Sequence, residues 1–158
     1  MKDTAELFAS LDALKARLDA HRPLPADIVS QIRQDMRIRF TYHSNAIEGN
    51  TLTMSETKAV LEDGITIGGK SLREHLEAVG HSQAIDYLEV LAQGDAALTE
   101  RTLKDFHSLI LRNIDGANAG TYRRVNVLIS GAGHIPPQAE SVPEKMEAFF
   151  RWYGVARG

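Results

Sequence analysis

The stretch TYHSNAIEGNTLT, Thr41 to Thr53, reads as the end of one helix, a glycine stop and the start of another. Gly49 is a natural residue to follow a helix, because glycine enters the left-handed region without steric cost. Ser44 and Glu48 stand four apart in the sequence and so share one stripe of the preceding helix. Glu48 is oddly placed. The carbonyl end of a helix carries partial negative charge, which makes an acid in its last turn unfavourable by roughly 0.3–1 kcal/mol. On spacing alone the pair reads as a solvated stripe at a helix end.

Working outward from this stretch, the chain is helical nearly throughout. Upstream, Leu7, Leu11, Leu14 and Leu18 form a one-faced seam that stops at HRPLP, where Pro23 and Pro25 break it. A second helix runs from about Asp27, with Ile28, Ile32, Met36, Phe40 and Ile47 inside an arc of roughly 120° at about 100° per residue. Downstream, Thr53 and Glu56 make a capping box that opens a helix ending near Gly64. Ser71 and Glu74 repeat the pattern and open a longer helix, carrying Leu72, Leu76, Val79, Leu88 and Leu91, until AQGDAALT interrupts it. Another begins after Thr99, with Leu103, Phe106, Ile110 and Leu111 as its buried face, and NIDGANAG ends it.

There the period changes. In YRRVNVLISGAGHIPP, Val125, Val127 and Ile129 alternate before Gly131 and Gly133, which predicts a short strand turning back as a small β-hairpin over about 122–136. Pro136 and Pro137 forbid a regular inner strand beyond it. A last amphipathic helix starts after Val142 and Pro143, with Met146, Phe149, Phe150 and Tyr153 on one side.

Composition bounds the function classes. With 158 residues, 43% hydrophobic and 25% charged, the chain has the size and balance of one globular domain. A formal charge of -3 without a run of Lys or Arg gives no footprint for nucleic acid or an anionic membrane. There is no cysteine, hence no disulfide framework and no thiolate metal site. No apolar run approaches the roughly 18 residues of a membrane span. The start, MKDTAELFAS, lacks the apolar core of a signal peptide, so the expected location is the cytoplasm.

Among motifs with chemistry, GITIGGKS (Gly64 to Ser71) has the letters of a phosphate-binding loop, G-x-x-x-x-G-K-[ST]. Its context differs. Such a loop comes after a buried strand, whereas SETKAVLED is a charged helical segment, so a glycine turn with Lys70 solvated and Ser71 capping a helix is the plainer reading. His43 lies five residues from Glu48, and His75 six from His81. Neither spacing stacks two ligands on one helical face, and no metal is expected. His107 in KDFHSLIL reads as a packed, hydrogen-bonded histidine beside a core stripe. The hairpin offers an edge to which an extended peptide could add as a strand, although many hairpins bind nothing.

The segment SNAIEGNTLT resembles the inhibitory motif of Fic proteins, [ST]-x-x-x-E-[GN], with Ser44, Glu48 and Gly49 at its fixed positions. The downstream segments are similar in their order. GKSLREHLEAVGHSQAIDYL resembles the helix after the inhibitory segment, LKDFHSLIL the next core helix, and AGTYRRVNVLISGAGHIPPQAESVPEKMEAFFRWY the family's flap and succeeding helix. The resemblance covers nearly everything from about Asp27. It implies a mainly α-helical Fic-like bundle with a small β-hairpin flap, of which this is the N-terminal part. Residues 1–64 would form the N-terminal helices, with the inhibitory helix at about 27–48, and 65–158 the start of the Fic core.

The family transfers AMP from ATP, with magnesium, to a hydroxyl side chain of a target protein, and some members remove it. In the family's H-x-F-x-[DE]-G-N-G-R-x-x-R motif the histidine is the base, the glycine segment holds phosphates and the last arginine fixes the γ-phosphate. This sequence does not contain that motif. The resemblance therefore implies that Glu48 pairs with that last arginine, that Ser44 steadies the same face, and that Ile129, Ser130, Gly133 and His134 border the nucleotide and the target backbone. SGAG makes the flap tip slightly longer than in relatives.

The expected role is the autoinhibitory and target-docking part of a protein adenylyltransferase, inactive and without bound ATP as these 158 residues alone. A catalytic motif is expected about 20–40 residues further on. The alternatives are an antitoxin-like module that supplies Glu48 in trans to a separate Fic subunit, and a nucleotide hydrolase using Gly64 to Ser71. With Ile110, Phe149 and Tyr153 short of cover, a homodimer, aggregation or the dye binding of a loosely packed chain is expected.

Overall fold

The computed structural model describes residues 3–94 and 97–157, apart from the side chain of residue 157. Residues 95 and 96, part of the predicted interruption AQGDAALT, lie outside the described residues. The chain divides into two compact units, Met1–Met36 and Arg37–Gly158.

The first unit holds helix α1, Thr4–Asp19, and the start of α2, Ala26–Ile47. The leucine seam predicted for α1 does form one helix, but Leu7, Leu11, Leu14 and Leu18 are all exposed. Ile28, Ile32 and Met36 of α2 are exposed too.

In the second unit, α2 runs on to Ile47 and the chain then forms α3, Met54–Lys58. A π-helical turn, Ala59–Asp63, extends α3, and Gly64 at φ 65° ends it in the left-handed region. Helix α4, Leu72–Ala92, is followed by α5, Glu100–Leu111, and finally by a 3-10 turn, Ala139–Ser141, leading into α6, Val142–Arg157. Both capping boxes are present. The Glu56 amide donates to Thr53 Oγ1 at 3.2 Å while the Thr53 amide donates to the Glu56 carboxylate at 2.7 Å. At α4 the Glu74 amide donates to Ser71 Oγ at 3.2 Å and the Ser71 amide to the Glu74 carboxylate at 2.8 Å. Thr99 caps α5 by accepting from the Thr102 amide at 3.1 Å.

The core gathers around α4. Leu52, Val60 and Ala78 form its buried centre, with Ile67 and Val79 packed against them. The residues that α4 buries are mostly small, namely Ala78, Gly80, Ser82 and Ala84 with His75 and Ile85, whereas Leu72 and Leu88 stay exposed. Small residues admit a close neighbour. A Cβ on Gly80 would lie 2.9 Å from the Ile110 carbonyl oxygen and 3.0 Å from that of Leu109, so α5 crosses α4 at backbone distance. The second half of α2 is held on α4 by three contacts: Arg37 with Asp86 at 2.9 Å, Thr41 Oγ1 with His81 Nδ1 at 3.1 Å, and the Phe40 ring edge-on to His81. Its buried residues are Ile38 and Thr41, while Phe40 and Ile47 of the predicted apolar arc remain exposed. On α5 no residue is fully buried, and Leu103 is exposed.

The predicted β-hairpin flap at about 122–136 does not form. Among the described residues there is no strand, and this segment is an irregular loop. A turn is present, with the Ala132 amide donating to the Ile129 carbonyl at 3.2 Å and Gly131 at φ 76°. The legs beside it are tied by side chains in place of a backbone ladder. Arg123 donates to the carbonyls of Val125 and Pro137, and Asn126 Oδ1 accepts from the Ala139 amide at 2.8 Å. Pro136 and Pro137 have no amide hydrogen to give to a ladder. The loop's entry is fixed on α5. The Gly120 amide, at φ 71°, donates to His107 Nδ1 at 3.0 Å, and the Lys104 ammonium lies 4.2 Å from the centre of the Tyr122 ring.

Candidate functional site

The end of α2 closes as a Schellman motif. The Gly49 amide donates to the Ala46 carbonyl at 3.1 Å and the Asn50 amide to the Asn45 carbonyl at 3.0 Å, with Gly49 at φ 93°. This arrangement satisfies carbonyls that the last turn leaves free, and it requires a residue that tolerates positive φ. Glu48 is therefore the last residue before the left-handed turn. Its side chain is exposed and makes no hydrogen bond or ion pair among the described residues. Ser44, one turn earlier, is half-buried.

Immediately beyond Gly49 the chain is gripped by the start of α4. Asn50 Nδ2 donates to the Glu74 carbonyl at 3.0 Å and to the Glu77 carboxylate at 3.1 Å, while its Oδ1 accepts from the Leu52 amide at 3.0 Å. The Thr51 amide and hydroxyl both donate to Glu74 Oε1, at 2.8 and 2.6 Å. The other carboxylate oxygen accepts from the Ser71 amide and hydroxyl. Lys70 Nζ donates to the Thr51 carbonyl and hydroxyl. So many donors favour the ionised form: the Thr51 hydroxyl first, then the Ser71 and Thr51 amides, hold the Glu74 carboxyl down to about 2. Leu52, only 4% exposed, then plugs the core.

This geometry also explains GITIGGKS. No strand precedes Gly64, and the amino end of α4, where a phosphate would sit, is filled by the Glu74 carboxylate. Lys70, the residue that would reach a phosphate, is turned to Thr51. Asn50, Thr51, Lys70 and Glu74 form one connected polar cluster. The sequence points to Glu74 through the capping box at Ser71 and to Lys70 only as a solvated lysine, which is incorrect because its ammonium is engaged with Thr51; Asn50 and Thr51 carry no local signal.

The flap residues Ile129, Ser130, Gly133 and His134 are all exposed on the irregular loop. No hydrogen bond or ion pair joins them to Ser44 or Glu48 among the described residues. His75, buried, accepts the Ile67 amide at Nε2 at 2.8 Å, and His107 accepts that of Gly120, so both serve the fold. Among the described residues no three metal-ligating side chains gather, and no helix is long and apolar enough to cross a membrane.

No family model matches the chain. Individual proteins do. Protein adenylyltransferase Fic from Nematostella vectensis is 34% identical over 145 residues, which span 90% of this chain and 34% of that protein. The protein of that name from Drosophila willistoni is 32% identical over 146 residues, spanning 92% of this chain and 28% of its own. Among solved structures, a Fic domain-containing signaling protein from Bacteroides thetaiotaomicron superposes with a TM-score of 0.79 at 26% identity, over 91% of this chain and 55% of that one. Over about nine-tenths of its length the chain is similar to Fic proteins in sequence and in fold. Fic-1 from C. elegans superposes with a TM-score of 0.69 at 29% identity, over 95% of this chain and 46% of that one. The Fic resemblance thus runs through nearly all of this chain, and the fold is the helical Fic-like one without the expected hairpin. The chain spans about a third of the length of the curated Fic relatives it matches.

Proposed function

We propose that these 158 residues are the autoinhibitory and target-docking part of a Fic-type protein adenylyltransferase, which moves AMP from ATP to a hydroxyl side chain of another protein. The observation that carries the reading is Glu48, an acid set before a left-handed glycine at the negative end of α2, exposed and without a partner among the described residues. A carboxylate there gains nothing from its own helix. It is presented to a cation outside that helix, and in this reading the cation is the last arginine of H-x-F-x-[DE]-G-N-G-R-x-x-R. A guanidinium engaged by a carboxylate is not free to grip a phosphate, since both ligands use the same fork of donors. Ser44 lies one turn back on the same stripe and steadies that face.

The candidate phosphate loop is not open to ATP and magnesium, since the start of its helix is occupied by Glu74 and its lysine is engaged with Thr51. In this reading both belong with the catalytic motif, which this sequence does not contain. The loop with Ile129, Ser130, Gly133 and His134 is the part that meets the target, presenting exposed apolar side chains on backbone that no ladder occupies.

The test is transfer of labelled AMP by this chain joined to a Fic catalytic segment. With Glu48→Gly, transfer to itself or to a target should rise at least tenfold, which corresponds to about 1.4 kcal/mol of barrier. The 158-residue chain by itself should show none with either residue. Equal activity of the joined protein with and without Glu48 would overturn the inhibitory role. Inhibition of a separate Fic subunit by the added chain would instead assign it to the antitoxin-like class.

A further inference from the structure

We infer that Asn50, Thr51, Lys70 and Glu74 form a clamp that sets where Glu48 stands, and that Asn50 and Glu74 are positioning residues for inhibition; this rests on the inhibitory role proposed for Glu48. The last turn of α2 has little else to hold it. Ile47 is 83% exposed, Glu48 and Gly49 are exposed, and a Cβ built on Gly49 would meet nothing within 4 Å. The ion pair, hydrogen bond and ring contact that tie α2 to α4, at Arg37, Thr41 and Phe40, all lie about two turns or more before Glu48, and after them only Tyr42, Ser44 and Asn45 are partly buried before the glycine. On the other side the grip resumes at once. Asn50, two residues after Glu48, is bonded to the backbone and the Glu77 side chain of α4, and Thr51 is held from both sides by Glu74 and Lys70.

A single glycine therefore separates Glu48 from a segment with no freedom. Glycine is the residue least able to transmit order by itself, because its backbone is the most permissive. The Schellman bonds of Gly49 and Asn50 make that connection stiff, since the Asn50 amide is part of the helix end while its side chain is part of the clamp. Asn50 thus belongs to both. One Glu74 oxygen accepts from the Thr51 amide and hydroxyl and the other from those of Ser71; in Glu74→Gln one of these oxygens becomes an amide nitrogen that cannot accept, so a pair of bonds is lost and the helix end frays. A frayed end spreads Glu48 over many positions, and a carboxylate seldom in place restrains its arginine less.

Two measurements test this, with Glu74→Gln and the milder Asn50→Ala as variants. In the 158-residue chain, amide hydrogen exchange at Gly49 to Leu52 should accelerate at least tenfold in both, while the amides of α5 keep their protection and show that the chain remains folded. In the chain joined to a Fic catalytic segment, both variants should raise AMP transfer at least threefold, and Glu74→Gln should add less than twofold when Glu48 is already glycine. A merely destabilised protein would transfer less, never more. Unchanged exchange at Gly49 to Leu52, or unchanged transfer in these variants while Glu48→Gly still raises it, overturns the clamp and spares the inhibitory role. If Glu48→Gly itself leaves transfer unchanged, the inhibitory role has failed, and the clamp as a regulator falls with it.

Discussion

Two side chains at the α2–α4 junction, one an acid and one a base, both contribute less as the pH falls. The Glu74 carboxyl, ordinarily near 4.5, is brought down to about 2 by the hydroxyl and amide donors of Thr51 and Ser71. Its contribution is complete above the unfolded value and is lost as the pH falls from about 4.5 to about 2, because the unfolded chain takes up the proton first. The difference in urea midpoint between the parent chain and Glu74→Gln should therefore be widest above pH 5 and narrow toward pH 2. A difference independent of pH would mean that the carboxylate's charge is not what Thr51 and Ser71 use. His81 is a base, and burial lowers its pKa below the ordinary 6.5. Here too the unfolded state binds the proton more readily, so stability present above pH 6.5 declines as the pH falls below that value. His81→Gln keeps a group able to bond Thr41 and should flatten the decline between pH 7 and 5. An unaltered slope would assign the decline to other groups.

At the scale of elements, the α4–α5 crossing depends on a missing side chain. Gly80→Ala would drive a methyl to 2.9 Å from a backbone oxygen of α5, and neither backbone can yield cheaply. A loss of about 1–3 kcal/mol in denaturant unfolding is expected. A neutral result would show that the helices part freely. The loop over 122–136 depends on side chains in the same way: Asn126→Ala should speed amide exchange at Ala139, whose amide it now engages, without reaching α4. Unchanged exchange there would mean that another acceptor replaces Asn126. Helix ends were the most legible part of this sequence. Thr53 with Glu56, Ser71 with Glu74, and Thr99 each satisfy orphan amides with bonds fixed by local spacing, so the pattern carries the answer. Buried faces were less legible. The apolar arc of Ile28, Ile32, Met36, Phe40 and Ile47 is regular but exposed, and the residues that α2 buries are Ile38 and Thr41, whose partner is a histidine 40 positions away. The hairpin failed for a related reason. Alternation at Val125, Val127 and Ile129 records a preference for extended backbone, whereas a strand exists only where another backbone pairs with it, and here Arg123 and Asn126 take those groups.

For the molecule as a whole, the Fic-like fold supplies the frame, and in the proposed account Glu48 is the point of control. Local spacing revealed Ser44, Glu48 and Gly49 only as a helix end; the grip of Thr51 and Lys70 lay outside its reach, because those contacts join residues 19 to 23 positions apart. In the proposed account a charge restrains the arginine, and the bulk of the residue that carries it does not. Glu48→Gln separates the two, since it keeps the size of the side chain and removes its charge. The decisive measurement is the initial rate of labelled AMP transfer by this chain joined to a Fic catalytic segment, with Glu48 and with Glu48→Gln. The account predicts a rise of at least tenfold, close to that of Glu48→Gly; a rate equal to the parent's would contradict it.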